Sequence, residues 1–415
     1  MSHLNVGPAG IRAGSARIPS PSCSGRNSPA LLPGAAPISS TVLTTSQTTA
    51  PLRRPVPLRA PIALAASPAS QAVCVPFQAG DLADYILSGP LLASCGISPD
   101  SVRANVSEWE RLGRQLATQL EFDHDHMDPV QRLRIYHYYL PVYWWVAAQL
   151  EAHRASGSDT ALVLGISAPQ GCGKTTLVEQ LEALFNAEGR PAASVSIDDF
   201  YLTRAQQAAL AEAHPGNRLL QLRGNAGTHD LQLGTDTLTT LRALRQPGDS
   251  AAVPRYNKSA FGGLGDRADP STWPVVGGPL QVVFFEGWMS GFAPLHDDAA
   301  AAAVDPALAA VNAALRSYRA AWDDLVDSWL VVRIGDPQWV YQWRLQAEER
   351  MKASGKAGMS DAQIADFVSR FMPAYTAYLP GLYAAGPTTA RPGRTLILEV
   401  DRNRSPVQQQ PAPVV

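Results

Sequence analysis

The chain has 415 residues, of which 46% are hydrophobic and 17% charged, and its formal net charge at pH 7 is −2. This length and apolar content can bury a large core, while no run approaches the ~20 consecutive apolar residues of a membrane-spanning helix. Residues 1–80 contain six arginines and no acidic residue, so the rest of the chain holds 28 of the 34 basic residues against all 36 acidic ones. A net-acidic body argues against nucleic acid as the main partner, and we expect neither a nucleic-acid nor a membrane partner.

Residues 1–75 have the composition of a targeting leader. The segment is rich in Ser, Thr, Pro and Ala, carries arginines and lacks acidic residues, which is typical of organellar transit peptides. The abundance of Ser, Thr and Pro favours the chloroplast over the mitochondrion. We therefore predict a disordered chloroplast transit peptide outside the fold, with an untargeted disordered tail as the alternative.

The next segment, residues 76–155, has helical patterns. Ser98-Pro99 and Asp128-Pro129 each place a capping side chain before a proline at the first helical position. The second of these helices is apolar on nearly every side, and Pro141 within it predicts a kink. We predict a helical segment packed on the core.

A strand, a loop of small residues and a helix follow one another at 161–187. Gly171 and Gly173 let the loop turn tightly enough to aim amide groups at one phosphate. The spacing matches G-x-x-x-x-G-K-[ST], except that Ala168 replaces the first glycine. Lys174 is expected to reach the β- and γ-phosphates, and Thr175 to ligate Mg²⁺. The predicted ATP-binding loop comprises Ala168, Pro169, Gln170, Gly171, Cys172, Gly173, Lys174, Thr175 and Thr176.

Cysteine usage indicates a reducing compartment, because the four cysteines show neither metal-ligand spacing nor the density of a disulfide scaffold. Cys172 lies in the phosphate loop, where amide dipoles and Lys174 would favour its thiolate, but a small residue that fills a tight loop is the preferred account.

Four further strands are predicted at 192–197, 280–285, 328–334 and 395–400, and helical patterns separate them, including single helices at 338–352 and 361–383. This alternation predicts an α/β fold: a three-layer αβα sandwich of the P-loop NTPase type with a mainly parallel five-stranded sheet. The domain is expected to span 156–404, and residues 405–415 are predicted to be disordered.

Acidic residues stand where two of these strands end. Asp198 and Asp199 follow the second strand, and Glu286 follows the third. Ligands of open α/β sheets bind at the carboxyl ends of the strands, and Glu286 suits the acidic residue that holds magnesium directly or through water. Polar loops at 222–230 and 254–259 are either exposed connections or binding surfaces.

Together these segments resemble the P-loop kinases that include uridine kinase, phosphoribulokinase and bacterial pantothenate kinase. Within that group they are most similar to the plant and cyanobacterial type of D-glycerate 3-kinase. The resemblance rests on residues 165–176, 196–203, 223–230, 254–259, 285–288 and 356–361. It implies transfer of the ATP γ-phosphoryl group to the 3-hydroxyl of D-glycerate, which in the chloroplast stroma belongs to photorespiratory carbon salvage.

The resemblance also implies residue roles. Asp198 matches the catalytic base, Lys174 and Glu286 complete the catalytic set, and Asp199 or Glu286 holds magnesium, although the reverse assignment of the acids stays open. The expected substrate residues are Arg223, His229, Asp230, Arg255, Tyr256 and Lys258. Guanidinium groups suit the glycerate carboxylate. Arg344, Arg350 and Lys356 are expected to form a lid near 344–360.

Two alternatives remain at this stage. The acceptor could be another small alcohol, such as pantothenate, a nucleoside or a sugar phosphate. The chain could also be a catalytically inactive, nucleotide-binding regulatory protein. We expect a small-molecule substrate, and the sequence leaves the oligomeric state open, with a monomer slightly favoured.

Overall fold

The computed structural model describes residues 79–353, 355 and 359–408, so the predicted leader and Lys356 lie outside the described residues. The strands are β1 Leu162–Ser167, β2 Ala192–Ser196, β3 Ser250–Ala252, β4 Tyr256–Asn257, β5 Asp266–Arg267, β6 Val275–Gly277, β7 Val282–Gly287, β8 Ser328–Ile334, β9 Thr395–Val400 and β10 Pro406–Val407. The α-helices are α1 Ala79–Leu87, α2 Pro99–Ala104, α3 Val106–Gln119, α4 Pro129–Leu133, α5 Leu140–Ala155, α6 Lys174–Ala187, α7 Arg204–Ala213, α8 Leu231–Arg242, α9 Asp298–Val304, α10 Leu308–Leu315, α11 Tyr318–Ala321, α12 Trp339–Ala353, α13 Asp361–Ser369 and α14 Met372–Ala385.

The central sheet has the strand order β2-β7-β1-β8-β9-β10. The first five of these strands run parallel and are the five predicted from the sequence. The sixth, β10, pairs antiparallel with β9, so the five-strand count was wrong. Pro406–Val407 form a strand where disorder was predicted, while residues 409–415 lie outside the described residues. β10 has only two residues, too few to show hydrophobic alternation in the sequence. A tight turn, in which the Asp401 amide donates to the Ser405 carbonyl, returns the chain to the edge of the sheet.

Helices cover both faces of the sheet, which confirms the three-layer architecture. Successive strand residues point to opposite faces. In β7, Phe284 packs against Phe185 of α6, with ring centroids 5.9 Å apart, whereas Phe285 packs against Trp322 on the other side, at 5.7 Å. None of the described helices has both the length and the apolar character needed to cross a bilayer.

The N-terminal helical segment begins its helices where the sequence indicated. The Ser98 side chain accepts a hydrogen bond from the Ser101 amide, and the Asp128 side chain accepts one from the Gln131 amide. At the predicted kink, a π-helical turn over Arg134–Tyr139 joins α4 to α5. Pro141 follows this turn directly as the second residue of α5, and because it lacks an N–H it cannot donate to the turn before it.

The predicted single helix over 361–383 is instead two helices, α13 and α14. The break falls at Arg370–Phe371, because Pro373 in the first turn of α14 has no N–H to donate to Ser369, the last residue of α13, and its ring would clash with that carbonyl in a continuous helix. This break places Phe371 and Tyr375 beside Trp288, with ring centroids 5.1 and 5.3 Å from it.

Candidate active site

Sheet register brings the predicted catalytic segments to one level. Glu286 of β7 is paired with Ile166 of β1 on one side and with Ser196 of β2 on the other. The phosphate loop after β1 and the acidic pair after β2 therefore begin within a few residues of Glu286. Parallel strands end at the same edge of the sheet, so the predicted site forms where these three strands end.

The phosphate loop has the backbone that its glycines predict. Gly171 and Gly173 have φ values of 81° and 96°, and Gly173 is the N-cap of α6. A Cβ at Gly171 would lie 2.7 Å from the Trp343 Cβ. The positive φ and this close contact each exclude a side chain at the position. The Gln170 amide donates to the Tyr375 hydroxyl at 3.0 Å, which ties the loop to α14.

Lys174 forms an ion pair with Glu286 at the base of the loop. Both side chains are largely buried, with 14% and 9% of their surface exposed. Burial lowers the pKa of Lys174 to about 8, although the nearby Asp198 carboxylate opposes that shift. The Lys174 ammonium group therefore lies beside the loop amides, and its ion pair with Glu286 can be replaced by an ion pair with a phosphate.

Asp198 faces the same space from the end of β2. Its Oδ2 pairs with Lys258 Nζ at 2.5 Å, and its Oδ1 accepts a hydrogen bond from the Tyr201 hydroxyl at 2.9 Å. Burial alone would raise the pKa of Asp198, but Lys258, Lys174 and the Tyr201 hydroxyl outweigh it and lower the pKa to about 2. The group is therefore a carboxylate at any physiological pH.

Asp199 diverges from Asp198 although the two are adjacent. They lie in a 3₁₀ turn over Ile197–Phe200, in which successive side chains point about 120° apart. The Asp199 carboxylate accepts from Arg255 at 3.3 Å and from the Tyr256 amide at 3.2 Å. Burial raises the pKa of Asp199, and Arg255 opposes this. The structure thus separates the pair into one residue that faces the site and one that holds the 254–259 loop.

One cavity of about 1130 Å³ joins the phosphate loop and Lys174 to Asp198. It exceeds the range of about 300–1,000 Å³ that is usual for a single small ligand, so it has room for a nucleotide and a second substrate. Its phosphate-loop wall is Gln170, Gly171, Cys172, Gly173, Lys174, Thr175 and Thr176. Its acceptor-side wall is Asp198, Tyr201, Arg223, Lys258, Ser259, Gly262, Gly263 and Trp288. Its third wall comes from the N-terminal helical segment, with Leu120, Glu121, Phe122, Gln131, Arg134, Tyr138 and Tyr139.

Of the six predicted substrate residues, the structure brings Arg223 and Lys258 to the cavity. Arg223 donates to the carbonyls of Gly263 and Leu264, at 2.9 and 2.5 Å. It also lies over the Tyr256 ring, 5.5 Å from its centroid. Arg223 therefore holds the 258–265 loop in place as well as lining the cavity.

The other four predicted substrate residues do not line the cavity, and two of them, Arg255 and Tyr256, contact Asp199 as described above. His229 is buried, its Nδ1 atom lies 2.8 Å from the Tyr318 hydroxyl, and its ring stacks on Tyr201. Burial lowers the pKa of His229 to about 4, so it is neutral. Asp230 caps α8 and accepts from Arg267 at 2.8 Å. These contacts give all four residues structural partners.

Two of the predicted lid residues line the cavity. Arg344 is already engaged, because it forms an ion pair with Glu348 and lies over the Phe367 ring, 5.1 Å from its centroid. Arg350 lines the cavity without an ion pair to any described residue. The third, Lys356, lies outside the described residues.

Of the two accounts of Cys172, the structure supports the small residue that fills the loop and not the favoured thiolate. The side chain is 1% exposed, and burial raises the pKa of the thiol despite the opposing charge of Lys174. Cys172 is a small buried residue that fills the loop.

Sequence reasoning missed several cavity residues. Tyr201 lies in the 196–203 segment, but nothing in the sequence distinguishes it as a site residue. Arg404 stands just beyond the carboxyl end of β9, so the rule that ligands bind at strand ends could have found it. It donates to the Gly171 carbonyl at 2.6 Å. Arg134, which lines the cavity, and Tyr375, which holds the loop from outside the cavity, carry no sequence signal, since only tertiary packing brings them to the site.

The described residues contain no cluster of three or more His, Cys, Asp or Glu side chains able to hold a metal. Magnesium in phosphoryl-transfer sites is usually held by one or two side chains together with substrate phosphates. Thr175 lines the cavity beside Lys174, and the Glu286 carboxylate lies at the same strand ends. These two oxygen donors would fit such a magnesium ion when Lys174 leaves Glu286 for a phosphate, whereas the Asp199 carboxylate is held by Arg255 and Tyr256 of the 254–259 loop.

A phosphate loop that opens a helix, faced across one cavity by a carboxylate at the end of a neighbouring strand, defines a P-loop kinase. Comparison with known proteins identifies the family within this class. The chain is 50% identical over 331 residues to the chloroplastic D-glycerate 3-kinase of Arabidopsis thaliana, a match that covers 79% of this chain and 72% of that protein. The chain therefore belongs to the D-glycerate 3-kinase family.

Two further similarities agree with this assignment, although no family model matches the chain. An uncharacterised kinase of Schizosaccharomyces pombe is 37% identical over 254 residues, which cover 59% of this chain and 90% of that protein. The structure of a D-glycerate 3-kinase from Cryptococcus neoformans aligns with a TM-score of 0.59 at 36% identity, over 65% of this chain and 97% of that chain.

Proposed function

We propose that this protein transfers the γ-phosphoryl group of ATP to the 3-hydroxyl of D-glycerate, giving 3-phosphoglycerate and ADP. The observation that carries the proposal is the single cavity in which Asp198 faces the phosphate loop, in a chain of this family. Phosphoryl transfer needs an aligned acceptor and stabilisation of charge on the phosphate oxygens. The cavity offers residues for both needs.

On the nucleotide side, the loop amides and the α6 N-terminus bind the β- and γ-phosphates. Lys174 exchanges its Glu286 partner for phosphate oxygens, and the negative charge then favours its ammonium form. Thr175 and Glu286 would hold Mg²⁺, which when bound neutralises charge on the phosphates.

On the acceptor side, Asp198 accepts a hydrogen bond from the substrate hydroxyl and takes its proton as the bond to phosphorus forms. Tyr201 fixes the orientation of this carboxylate through Oδ1. Lys258 pairs with Asp198 Oδ2 in this structure. When substrate binds, Lys258 pairs instead with the glycerate carboxylate, which leaves Oδ2 free to accept from the substrate hydroxyl. Because Arg255 and Asp199 hold each other, Lys258 is the better candidate for that anion.

The test is ADP release by the full-length chain with Mg-ATP and D-glycerate, followed by identification of the product. L-glycerate, pantothenate, uridine and ribulose 5-phosphate serve as competing acceptors. We expect turnover with D-glycerate and 3-phosphoglycerate as the product. Turnover only with another alcohol would replace the acceptor assignment. ATP binding without turnover of any acceptor would favour a regulatory nucleotide-binding protein.

The matched variant is Asp198→Asn, which keeps the shape of the side chain and removes its charge. General-base contributions are about 10²–10⁴-fold, so we expect kcat to fall within that range while ATP affinity stays unchanged. Asp199→Asn is the comparison variant: its carboxylate does not line the cavity and holds the 254–259 loop, so kcat should fall far less than in Asp198→Asn. Near-parental kcat in Asp198→Asn would remove Asp198 from the base role.

We also propose that residues 1–75 direct the protein to the chloroplast stroma, where its reaction would serve photorespiratory carbon salvage. The acid-free, Arg-bearing and hydroxyl-rich composition supports this, as does the chloroplastic relative. A fluorescent protein fused after residue 75 should accumulate inside chloroplasts, and cytosolic fluorescence would refute the targeting.

A further inference from the structure

The strand order divides the cavity into two sides. Asp198 follows β2, Arg404 follows β9, and β1 with its phosphate loop lies between those strands. An ATP molecule whose γ-phosphate faces Asp198 must therefore extend its α-phosphate and nucleoside toward the β9 side. This inference rests on the proposed function for the direction of the nucleotide.

Three arginines from distant parts of the chain line the cavity. Arg134 comes from the π-helical turn, Arg350 from α12, and Arg404 from the turn between β9 and β10. π-Helical turns are rare and frequently occur at functional sites. Three residues of this turn, Arg134, Tyr138 and Tyr139, line the cavity, and Arg134 is the charged one among them.

The three guanidinium groups lack counter-charge. Neither Arg134 nor Arg350 forms an ion pair with a residue in the described part of the chain. Burial lowers the pKa of Arg404 to about 10, and the positive charges of Arg350 and Arg134 add to this effect. Half-buried like charges repel one another at short range. An anion among them would remove that cost.

The carboxylates in the cavity do not supply this anion. Glu348 is paired with Arg344 and accepts from the Met359 amide at 3.0 Å. Asp198 is paired with Lys258. The remaining one, Glu121, is exposed and lies beyond ion-pair distance of any described cation. The cluster is thus suited to an anionic group of the bound substrate.

We propose that Arg134 of the N-terminal helical segment, together with Arg350, binds the α-phosphate of ATP. Arg134 then completes the nucleotide site from outside the P-loop domain, and the helical segment before β1 has a direct part in binding. Phosphate oxygens accept charge-assisted hydrogen bonds from the planar fork of a guanidinium.

Arg404 has a different part, because its guanidinium is already fixed. It donates to the Gly171 carbonyl at 2.6 Å and to Gln346 at 3.0 Å, and it lies over the Trp343 ring, 5.0 Å from its centroid. It is a positioning residue that braces the phosphate loop and adds positive charge beside it.

The test measures the affinity of the full-length chain for Mg-ATP and for inorganic tripolyphosphate, without glycerate. We expect Arg134→Gln to weaken both by about tenfold or more, as loss of a charge-assisted hydrogen bond predicts, and Arg134→Lys to weaken them less. The matched control is Arg103→Gln, which removes an arginine of the same segment whose side chain is 57% exposed and outside the cavity. Its affinities should equal those of the parent.

Three outcomes overturn the proposal. They are an Arg134→Gln affinity within twofold of the parent, a loss confined to ATP with tripolyphosphate unaffected, and an equal loss in Arg103→Gln. Thermal unfolding without nucleotide shows whether Arg134→Gln folds. If it does not, Arg350→Gln removes the second cation of the subsite, and unchanged affinity in that variant overturns the proposal. Because no acceptor is present, a chain that binds ATP through Arg134 and ignores glycerate would refute the proposed function alone.

Discussion

Lys258 controls the charge of Asp198, and replacing it should change how activity depends on pH. The ordinary pKa of an aspartate, 3.8, falls to about 2 for Asp198, although burial by itself would raise it. A pKa difference of this size corresponds to roughly 2–3 kcal/mol in favour of the carboxylate. Lys258, 2.5 Å away, is the largest source of that stabilisation.

Lys258→Met keeps the length of the side chain and removes the charge. The burial effect on Asp198 then stands against Lys174 and the Tyr201 hydroxyl alone, so the pKa of Asp198 should rise. In the parent, protonation of Asp198 lies far below the pH range of assay. In Lys258→Met, the acid limb of kcat/KM should move upward toward that range, and KM for D-glycerate should increase.

The assay is kcat/KM for D-glycerate at saturating Mg-ATP from pH 4.5 to 9, with Lys258→Arg as the charge-preserving control. The control should keep the acid limb of the parent. An acid limb in Lys258→Met that coincides with that of the parent would refute the electrostatic reasoning, whatever the change in KM. The lowered pKa of Asp198 also makes folding stability depend on pH. Because folding depresses the pKa of Asp198, its contribution is present above pH 3.8 and is lost as pH falls toward 2.

The remaining predictions concern residues that support the site. Tyr375→Phe removes the acceptor of the Gln170 amide, and an unpaired buried donor costs about 1–3 kcal/mol. KM for ATP should therefore rise while KM for D-glycerate does not, and unchanged ATP kinetics would show that α14 does not brace the loop. Asp230→Ala removes the cap of α8 and the partner of Arg267, so urea unfolding should show a loss of about 1–2 kcal/mol. A raised KM for D-glycerate in that stably folded variant would instead restore Asp230 as a substrate residue.

The local sequence pattern around Asp198 and Asp199 does not specify which catalytic role each residue has. The sequence places both at the end of a strand, and either suits a base or a metal ligand. The 3₁₀ turn sends their side chains in different directions, and a loop about sixty residues later supplies a separate cation for each, Lys258 and Arg255. That choice depends on where the loop lies, which no spacing in the sequence specifies.

The sequence by itself determined the phosphate loop, the five parallel strands and the acids that end them. These features depend on short-range physics, namely which residues tolerate positive φ, which cap a helix, and how apolar residues repeat along a strand. Only the tertiary structure decided that Arg134 and Arg404, 270 positions apart, meet at one phosphate loop, and that His229 and Asp230 turn away from the cavity. Such meetings follow from how helices and strands pack across the whole chain, because packing couples residues by distance in space and leaves no periodic trace in the sequence.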